Sequence, residues 1–357
     1  MRFIHMADMH FDTPFTFLNS KEDLGNIRRL EQRQVFKEII EYIKLNKIPY
    51  FFICGDLYEH QYVKESTIEF INNLFKDIPE TKIFITPGNH DPILKKSFYN
   101  NYNWNNNVYI FNSDIGIYEF SDVDIYGFGF DDFYFNKNLI GKIKIKNKNK
   151  NKINILLTHG TLNGSAIGDI NYNSMSESTL KSLEFDYVAL GHIHKKDIKN
   201  NIVYPGSTIS LGFDELGEHG ILDVNLNKDF LNINFIPFDK TSFEEINLDI
   251  SEIKTEDELI EKINNLKLNK NNYYKLIFFG INLFEININK ILKINTQKNI
   301  LKIKNETKSN IDIEKIMKQN NLKSYFVSET LNPENGNFFT EEDLKKVLEI
   351  GLNALGN

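Results

Sequence analysis

A short apolar run leads directly into functional residues in the stretch Ile83-Phe84-Ile85-Thr86-Pro87-Gly88-Asn89-His90-Asp91. The apolar part has the length and composition of a buried β-strand. The polar part offers an amide, an imidazole and a carboxylate, which are all groups that can bind a metal ion. The stretch therefore predicts a strand that presents functional groups at its carboxyl end.

The same arrangement occurs at four other places along the chain. Comparable apolar runs precede Asp8-Met9-His10, Gly55-Asp56, Thr158-His159-Gly160 and Gly191-His192-Ile193-His194. Ligands of open α/β sheets gather beyond the carboxyl ends of the strands, so residues far apart in sequence can meet there. The pattern predicts an α/β fold in which five strand exits form one site.

Seven residues of these motifs are candidate metal ligands. Their carboxylate, amide and imidazole groups suit Mn²⁺, Fe²⁺ or Zn²⁺ better than a metal that prefers thiolates. One carboxylate can bridge two cations, and two metals about 3.5 to 4 Å apart can hold both the attacking and the leaving oxygens of a phosphoryl transfer. The candidates are Asp8, His10, Asp56, Asn89, His159, His192 and His194.

In their order, the motifs D-x-H, G-D, G-N-H-D, T-H-G and G-H-x-H resemble the calcineurin-like metallophosphoesterase superfamily over roughly residues 1 to 235. The opening segment from Phe3 to Phe15, with Tyr204-Pro205-Gly206-Ser207 and Gly212-Phe213-Asp214-Glu215, makes the chain similar to SbcD-type DNA repair exonucleases, and most to the bacterial YhaO-like subgroup. The resemblance implies a layered α/β/β/α sandwich followed by a small α+β capping domain.

The resemblance also implies roles for the site residues. Two divalent ions are expected, preferably manganese, with iron or zinc as alternatives. His90 would face the scissile phosphate as a catalytic group, and Asp91 is expected to orient it. A water shared by the metals would be the nucleophile. The implied ligand sets are Asp8, His10 and His194 for one ion and Asn89, His159 and His192 for the other, with Asp56 as the bridge.

The remaining histidines and the single cysteine have simpler interpretations. His5 lies inside the first strand, so we expect a hydrogen-bonded core histidine. Cys54 ends an apolar strand and is expected to be a small buried hydrophobe. His219, between two glycines, is expected to be a turn residue. His60 is a candidate for substrate binding, with a surface role as the alternative.

The net charge of the chain is unusual for a protein that would bind DNA through many phosphate contacts. With 42 basic and 49 acidic residues the net charge is −7, whereas such proteins rely on many cationic phosphate contacts. One basic segment, Gly141 to Lys152, has lysines at alternate positions, which share a face if the segment is extended. Lys142, Lys144 and Lys146 are therefore candidates for substrate contact, although a solvated loop is the favoured interpretation.

Sequence patterns predict three regions, a phosphoesterase domain (1–238), a small α+β domain (239–335) and a C-terminal helix (336–357). The last helix begins with Thr340 and Asp343, spaced as in a capping box. It is expected either to dock on the protein's own core or to recruit a partner. The predicted elements are helices near 26–47, 64–77, 255–268, 312–319 and 340–355, and strands near 273–280, 291–294, 300–303 and 325–327, after a strand-rich stretch over 108–238.

These observations favour a metal-dependent phosphodiesterase that acts on DNA as an exonuclease or endonuclease in repair or recombination. A small-nucleotide phosphodiesterase, a phosphoprotein phosphatase and a nonenzymatic scaffold with this fold are the alternatives. The chain has no Walker A pattern, so an ATP motor would be a separate SbcC- or YhaN-type ATPase. A homodimer is implied by resemblance only. One cysteine and no apolar run of about 18 residues favour a cytoplasmic protein outside the membrane.

Overall fold

The computed structural model describes residues 1–15, 18, 24–135, 137, 139–143, 149, 151–163, 172–309, 313–332 and 340–355. The chain divides into two compact units, residues 1–243 and 244–357. The three-region division predicted from sequence stays a prediction. No helix in the described ranges carries an apolar stretch that is long enough to cross a lipid bilayer.

Two six-stranded sheets form the first unit. Their strands are β1 (Arg2–Met6), β2 (Tyr50–Cys54), β3 (Lys82–Thr86), β4 (Val108–Ile110), β5 (Gly116–Glu119), β6 (Val123–Gly127), β7 (Ile153–His159), β8 (Tyr187–Gly191), β9 (Asp197–Lys199), β10 (Ile202–Tyr204), β11 (Gly220–Leu226) and β12 (Leu231–Pro237). The strand orders of the two sheets are β12-β11-β1-β2-β3-β4 and β5-β6-β7-β8-β10-β9.

The core between these sheets explains why the central strands are so apolar. Phe3 and Phe52 from the first sheet pack with Ile155 and Ala189 from the second, and all four are fully buried. Strand β2 is buried along its whole length, so its second face must also be covered. Each sheet therefore needs a helical layer on its outer side.

Helices cover the outer faces of the two sheets. The first, α1 (Leu24–Leu45), buries Phe36, Ile39 and Ile43 at helical spacing, and the ring of Phe36 contacts α2 (Glu65–Lys76). A short α3 (Phe98–Asn101) follows β3, and α4 (Glu177–Ser182) packs on the second sheet through a shared apolar cluster. The predicted α/β/β/α sandwich is confirmed.

A smaller α+β arrangement makes up the second unit. The strands are β13 (Phe243–Asp249), β14 (Tyr273–Phe279), β15 (Ile281–Asn282), β16 (Ile300–Asn305) and β17 (Lys308–Ser309). The helices are α5 (Glu256–Asn264), α6 (Ile288–Ile294), α7 (Ile313–Met317), α8 (Leu322–Thr330) and α9 (Glu341–Ala354). The sheet order is β13-β14-β16, with β15 paired to β17, and the apolar cluster combines β13, β14 and β16 with α5 and α6.

Two strands predicted in this unit are wrong. Residues 291–294 belong to α6, where the Asn287 side chain accepts a hydrogen bond from the Lys290 amide at 3.0 Å. Residues 325–327 belong to α8, which begins with a capping box between Asn321 and Ser324. In both cases β-branched or aromatic residues favoured a strand, but an N-terminal cap and burial of one face favour the helix.

The C-terminal helix α9 begins as predicted. The Thr340 hydroxyl accepts a hydrogen bond from the Asp343 amide at 3.2 Å, and the Asp343 carboxylate accepts one from the Thr340 amide at 3.0 Å. The helix packs within its own unit against α8, where Gly351 lies so close to the Phe326 ring that a Cβ would overlap it. Recruitment of a partner by this helix stays a prediction.

Candidate metal centre

All seven candidate ligands lie at one edge of the first unit. Strands β1, β2 and β3 are parallel, as are β7 and β8, so each sheet presents the carboxyl ends of these strands on one side. Residues after β1, β2 and β3 meet His159 at the end of β7 and the residues that follow β8. The sequence prediction that five strand exits converge is confirmed, whereas metal binding by these residues stays a prediction.

Four of the candidates have backbone conformations that non-glycine residues rarely adopt. The φ angles of Asp8, His10, Asp56 and His192 are +52°, +51°, +53° and +100°. Such conformations cost on the order of 1–3 kcal/mol each and collect at functional sites. The fold therefore holds these side chains in place at an energetic cost.

The first group of ligand atoms comes from Asp8, His10 and His194. Their candidate atoms all lie within 4.8 Å of one another. The Nε2 atoms of His10 and His194 are 3.2 Å apart, and His194 Nε2 is 3.8 Å from Asp8 Oδ1. Two imidazole nitrogens and a carboxylate oxygen facing a common point form a donor set that fits a divalent cation.

The second group is centred on the Asn89 amide oxygen. It lies 3.0 Å from His159 Nε2 and 3.1 Å from His192 Nδ1. Asp56 stands between the two groups, because its Oδ2 is 3.3 Å from His159 Nε2 and 3.7 Å from His10 Nε2. The position of this carboxylate is the one that a bridging ligand requires.

Hydrogen bonds on the outer nitrogens set the orientation of three of the imidazoles. The Nδ1 of His10 faces Glu59 Oε1 at 2.8 Å, and the Nδ1 of His159 faces the Cys54 carbonyl at 2.9 Å. The Nδ1 of His194 is hydrogen-bonded to the Glu215 carboxylate. In each ring a protonated Nδ1 leaves Nε2 as the free donor atom that points inward.

Burial and the neighbouring charged side chains shift the pKa values of the residues in the site. Burial alone would raise the pKa of Asp56, but the neighbouring imidazoles, led by His159, hold it well below its ordinary value. Burial would lower the pKa of His159, yet the Asp56 carboxylate raises it to about 9. For His192 burial dominates and lowers the pKa to about 3, and the nearby His159 acts in the same direction. The ion-free site therefore favours ionised Asp56 beside protonated His159.

Glycine is required at two motif positions because the site is so tightly packed. Gly55 has a φ of +85°, and a Cβ there would overlap the imidazole of His159. A Cβ on Gly191 would overlap the Cys54 carbonyl oxygen. Both contacts would be far closer than van der Waals distance. The glycines therefore allow the two sheets to approach each other at the site.

Glu59 holds the proposed catalytic histidine. The His90 side chain is 44% exposed, the most open of the site histidines, and its Nδ1 lies 2.9 Å from Glu59 Oε2. The other oxygen of the same carboxylate contacts His10. Hydrogen bonds from both imidazoles outweigh burial and lower the pKa of Glu59 to about 2. One ionised carboxylate thus links the candidate ligand His10 to the exposed ring of His90.

The expectation that Asp91 orients His90 is wrong. The Asp91 carboxylate accepts hydrogen bonds from the amides of Asp56, Leu57 and Gly88, at 3.1, 2.7 and 2.6 Å. It also accepts one from the Tyr99 hydroxyl at 2.6 Å. Adjacent side chains in a loop point in different directions, so Asp91 fixes the loops that carry Asp56 while Glu59 reaches His90.

Glu215 is a second positioning residue, besides Glu59, outside the sequence-predicted set. Besides His194, its carboxylate accepts hydrogen bonds from Ser207 Oγ at 2.9 Å and the Leu211 amide at 3.0 Å. His219 belongs to the same network, since its Nδ1 lies 2.9 Å from Ser207 Oγ and its ring is buried. The expectation that His219 is a simple turn residue is therefore wrong. The one sequence signal for Glu215 is its place in Gly212-Phe213-Asp214-Glu215, a stretch that contributes to the family resemblance.

The remaining sequence candidates have mixed outcomes. His5 is a buried, hydrogen-bonded core histidine and Cys54 is a buried free thiol, as expected. The ring of His60 lies 6.0 Å from that of Phe133. Its backbone amide donates to the His90 carbonyl at 2.9 Å. Lys142 ends a 3-10 turn over Ile140–Lys142, whereas Lys144 and Lys146 lie outside the described residues.

Replacing Glu59 by Gln is expected to lower turnover about ten- to hundredfold without changing thermal stability. Glutamine offers one acceptor oxygen, so its amide nitrogen must face one of the two imidazoles. Asp91→Asn is the matched variant, and it should lower the unfolding free energy by about 1–3 kcal/mol because four donors lose part of their acceptor. Thermal melts and turnover of a small phosphodiester separate the two. Loss of turnover at unchanged stability in Asp91→Asn would contradict these roles.

The chain has relatives among known proteins. The chain is 24% identical over 277 residues to a Bacillus subtilis (strain 168) protein called "Uncharacterized metallophosphoesterase YhaO", covering 74% of this chain and 66% of that protein. It is 28% identical over 311 residues to the D component of the SbcCD nuclease of Staphylococcus epidermidis, covering 77% and 78%. The first alignment thus spans slightly less than two thirds of the Bacillus protein.

A crystal structure of TT1561 of Thermus thermophilus aligns with 66% of this chain and 98% of its own, at a TM-score of 0.39 and 11% identity.

Residues 1–196, more than half of the chain, match the calcineurin-like phosphoesterase family. This range contains all the candidate ligands and His90. The chain therefore belongs to the calcineurin-like phosphoesterase family.

Proposed function

We propose that the protein is a metal-dependent nuclease that hydrolyses phosphodiester bonds in DNA. The observation that carries the proposal is the pair of ligand groups joined by Asp56, with His90 beside them. Asp8, His10 and His194 would hold one divalent ion, and Asn89, His159 and His192 the other. Manganese is the preferred metal, with iron or zinc as alternatives, because the donors are oxygen and imidazole nitrogen.

Protein groups around the ions have defined tasks in this proposal. The ions, when bound, would supply the charge that acidifies a water nucleophile and neutralises the phosphodiester. Burial would lower the pKa of His90, but the hydrogen bond to Glu59 raises it to about 9. In the ion-free protein the ring is then an imidazolium at neutral pH, and a protonated Nε2 would be the group that donates to the departing oxygen. The backbone amide of His90 donates to Asp56 Oδ1 at 2.8 Å, which fixes the ring relative to the bridge.

DNA is the proposed substrate because of the nuclease named among the relatives and because a second compact unit follows the phosphoesterase unit. We propose that residues 239–335 form a capping domain that guides DNA. We further propose a role in repair or recombination together with an SbcC- or YhaN-type ATPase, a cytoplasmic location, and a homodimer. A small-nucleotide phosphodiesterase or a phosphoprotein phosphatase shares the same metal chemistry and is the alternative that the test must separate. A nonenzymatic scaffold is disfavoured by the intact donor set.

The test is degradation of end-labelled linear DNA by metal-stripped protein, with and without added Mn²⁺. A small phosphodiester and a phosphopeptide are assayed in parallel. His90→Ala is the matched variant, because it should keep its metal content and lose about 10²- to 10⁴-fold in turnover. Loss of label that needs both Mn²⁺ and His90 supports the nuclease. Cleavage of only the small diester, or of only the phosphopeptide, contradicts it.

Metal binding is expected to release protons at neutral pH. The Asp56 carboxylate outweighs burial and raises the pKa of His159 to about 9, and Glu215 does the same for His194, also to about 9. Both rings are therefore protonated at neutral pH in the ion-free protein and must be neutral to bind a metal. Affinity for Mn²⁺ should rise as the pH is raised toward these pKa values, since fewer protons then compete.

Titration calorimetry in two buffers with different ionisation enthalpies measures this release. We expect about two protons per chain at neutral pH and progressively fewer above about pH 9. His5→Gln is a suitable control, because this buried histidine lies outside both ligand groups and burial lowers its pKa to about 3. Binding heats that are identical in the two buffers would contradict the assigned ligands.

A further inference from the structure

A cavity of about 670 Å³ lies between α1 and α2, and the loop that follows the candidate ligand His10 forms part of its wall. Its walls include Asp12 from the loop after β1, Arg29 and Arg33 from α1, and Tyr62 and Lys64 from the segment before α2. Its volume is typical of a site for a drug-sized molecule. That space accommodates a short stretch of one nucleic-acid strand.

The charge of the lining differs from that of the chain. Among the described residues that line the cavity, three are cations, Arg29, Arg33 and Lys64, and one is a carboxylate, Asp12, which gives 3 − 1 = +2 in a protein of net charge −7. On α1 the spacing of four residues continues to Lys37, whose Nζ lies 5.7 Å from the centre of the Phe70 ring. Side chains four residues apart share a helix face. The basic residues therefore form a stripe that attracts anions.

The individual contacts divide the cations into structural and available groups. Arg33 is hydrogen-bonded to Asp12 Oδ1 at 2.7 Å and Thr67 Oγ1 at 2.9 Å, so part of its charge is neutralised within the wall. Arg29 donates to the backbone carbonyls of Thr13 and Pro14, at 3.4 and 3.2 Å, and to the side-chain oxygen of Asn26. These three acceptors are uncharged, so they do not neutralise the positive charge of Arg29. The ammonium group of Lys64 is on an exposed side chain.

The lining also contains an exposed aromatic ring. Tyr62 is 51% exposed, and its amide donates to the Glu59 carbonyl at 3.0 Å. Glu59 is the residue that holds His10 and His90, and Asp12 lies two positions after His10. The same two loops therefore form the wall of the cavity and the wall of the metal centre. A chain bound in the cavity would therefore contact loops that also carry residues of the metal centre.

We propose that this cavity is a groove that binds a single-stranded segment of the nucleic-acid substrate, with phosphates against Arg29 and Lys64 and a base stacked on Tyr62. The proposal rests on the proposed nuclease function and names the substrate form that enters the site. Cationic contacts to the backbone together with aromatic stacking are the usual means of binding single strands without sequence preference.

The test measures inhibition of small-phosphodiester hydrolysis by a single-stranded phosphorothioate oligonucleotide, using the full chain with Mn²⁺. Arg29→Gln, Lys64→Gln and Tyr62→Ala are compared with the wild type. Each is expected to raise the inhibition constant about five- to tenfold or more, while the KM and turnover of the small diester stay unchanged. Each lost phosphate contact should also reduce the salt dependence, by about 0.7 in the slope of log affinity against log salt.

Control variants distinguish a loss of binding in the groove from a general effect of removing a charge or altering a side chain. Lys44→Gln removes an exposed cation from the far end of α1 and should leave the inhibition constant unchanged. Tyr62→Phe keeps the ring and should restore binding that Tyr62→Ala loses. Lys64→Gln is informative even if Arg29→Gln disturbs the loop after β1, because the bond from Lys64 to Asp12 is made by the backbone amide.

Two failures can be distinguished. Equal inhibition constants in the wild type and all groove variants would overturn the proposal that the groove binds the substrate, even if an ordinary DNA strand is cut. If an ordinary strand is not cut while the inhibition constants shift as expected, the groove is supported and the nuclease function is contradicted. Stronger inhibition by duplex than by single strands, with equal loss in the variants, would overturn the single-strand assignment.

Discussion

Asp56→Asn is expected to abolish turnover, by about a thousandfold or more, and to reduce bound metal from about two ions per chain to less than one. The reason is geometric. Asp56 Oδ2 faces His159 Nε2 at 3.3 Å and His10 Nε2 at 3.7 Å, while Oδ1 accepts the His90 amide at 2.8 Å. Asparagine keeps the oxygen that bonds to His90 and places an N–H group where the bridging oxygen was. The negative charge and the bridge are lost together.

Metal analysis and small-diester turnover of the purified variant check this result. Asp223→Asn is the matched control, because Asp223 is a buried carboxylate that pairs with Arg2 rather than with the metal centre. It should keep its metal content and its turnover. His90→Ala provides the second comparison, since it should lose turnover and keep metal. Equal metal loss in His90→Ala and Asp56→Asn would contradict the roles assigned to these residues.

Arg28→Ala is expected to lower the free energy of unfolding of the first unit by about 3–5 kcal/mol. The Arg28 side chain is fully buried and donates to Asp239 Oδ1 at 2.9 Å, to Glu31 at 2.9 Å and to the Ser210 carbonyl at 2.9 Å. A second, shorter contact joins Arg28 to Asp239. Without the guanidinium, Asp239 would be a buried carboxylate without its countercharge.

The resulting fall in melting temperature should be on the order of 10 °C. Lys44→Ala, which removes an exposed cation from the same helix, should change the unfolding free energy by less than about 0.5 kcal/mol. Replacing both partners by apolar residues, Arg28→Met with Asp239→Leu, should recover most of the loss, because no charge is then left buried. A double variant as unstable as Arg28→Ala would show that the penalty has another origin.

This ion pair also connects the fold to the candidate metal centre. Asp239 accepts a hydrogen bond from the Ser210 amide at 2.8 Å, and the Ser210 hydroxyl donates to the Glu215 carbonyl at 2.8 Å. Glu215 in turn is hydrogen-bonded to His194. Arg28→Ala should therefore also weaken metal binding at temperatures well below the melting transition, because the loop that orients His194 loses its anchor.

Local patterns were sufficient to predict an α/β fold for the first unit and the residues that meet in its site, whereas the layered sandwich came from the family resemblance. Apolar runs predicted the buried strands, and polar residues directly after them predicted the shared edge where Asp56 and His159 meet. Those features depend on residue type and on short spacings, which the chain displays directly. The two errors in the second unit arose where Ile291–Ile294 and Tyr325–Val327 have strand-like composition over only a few residues, and caps and burial decide such cases.

The sequence by itself determined the candidate ligands, the order of the strand exits and the family, because each depends on motifs whose residues are close neighbours along the chain. Only the tertiary structure decided that Glu59 rather than Asp91 holds His90, that Glu215 and His219 support His194, and that Arg28 pairs with Asp239, 211 residues away. Side-chain direction within a loop, and contacts between distant segments, are set by how the two sheets and their helices pack. No local pattern in the chain encodes that packing.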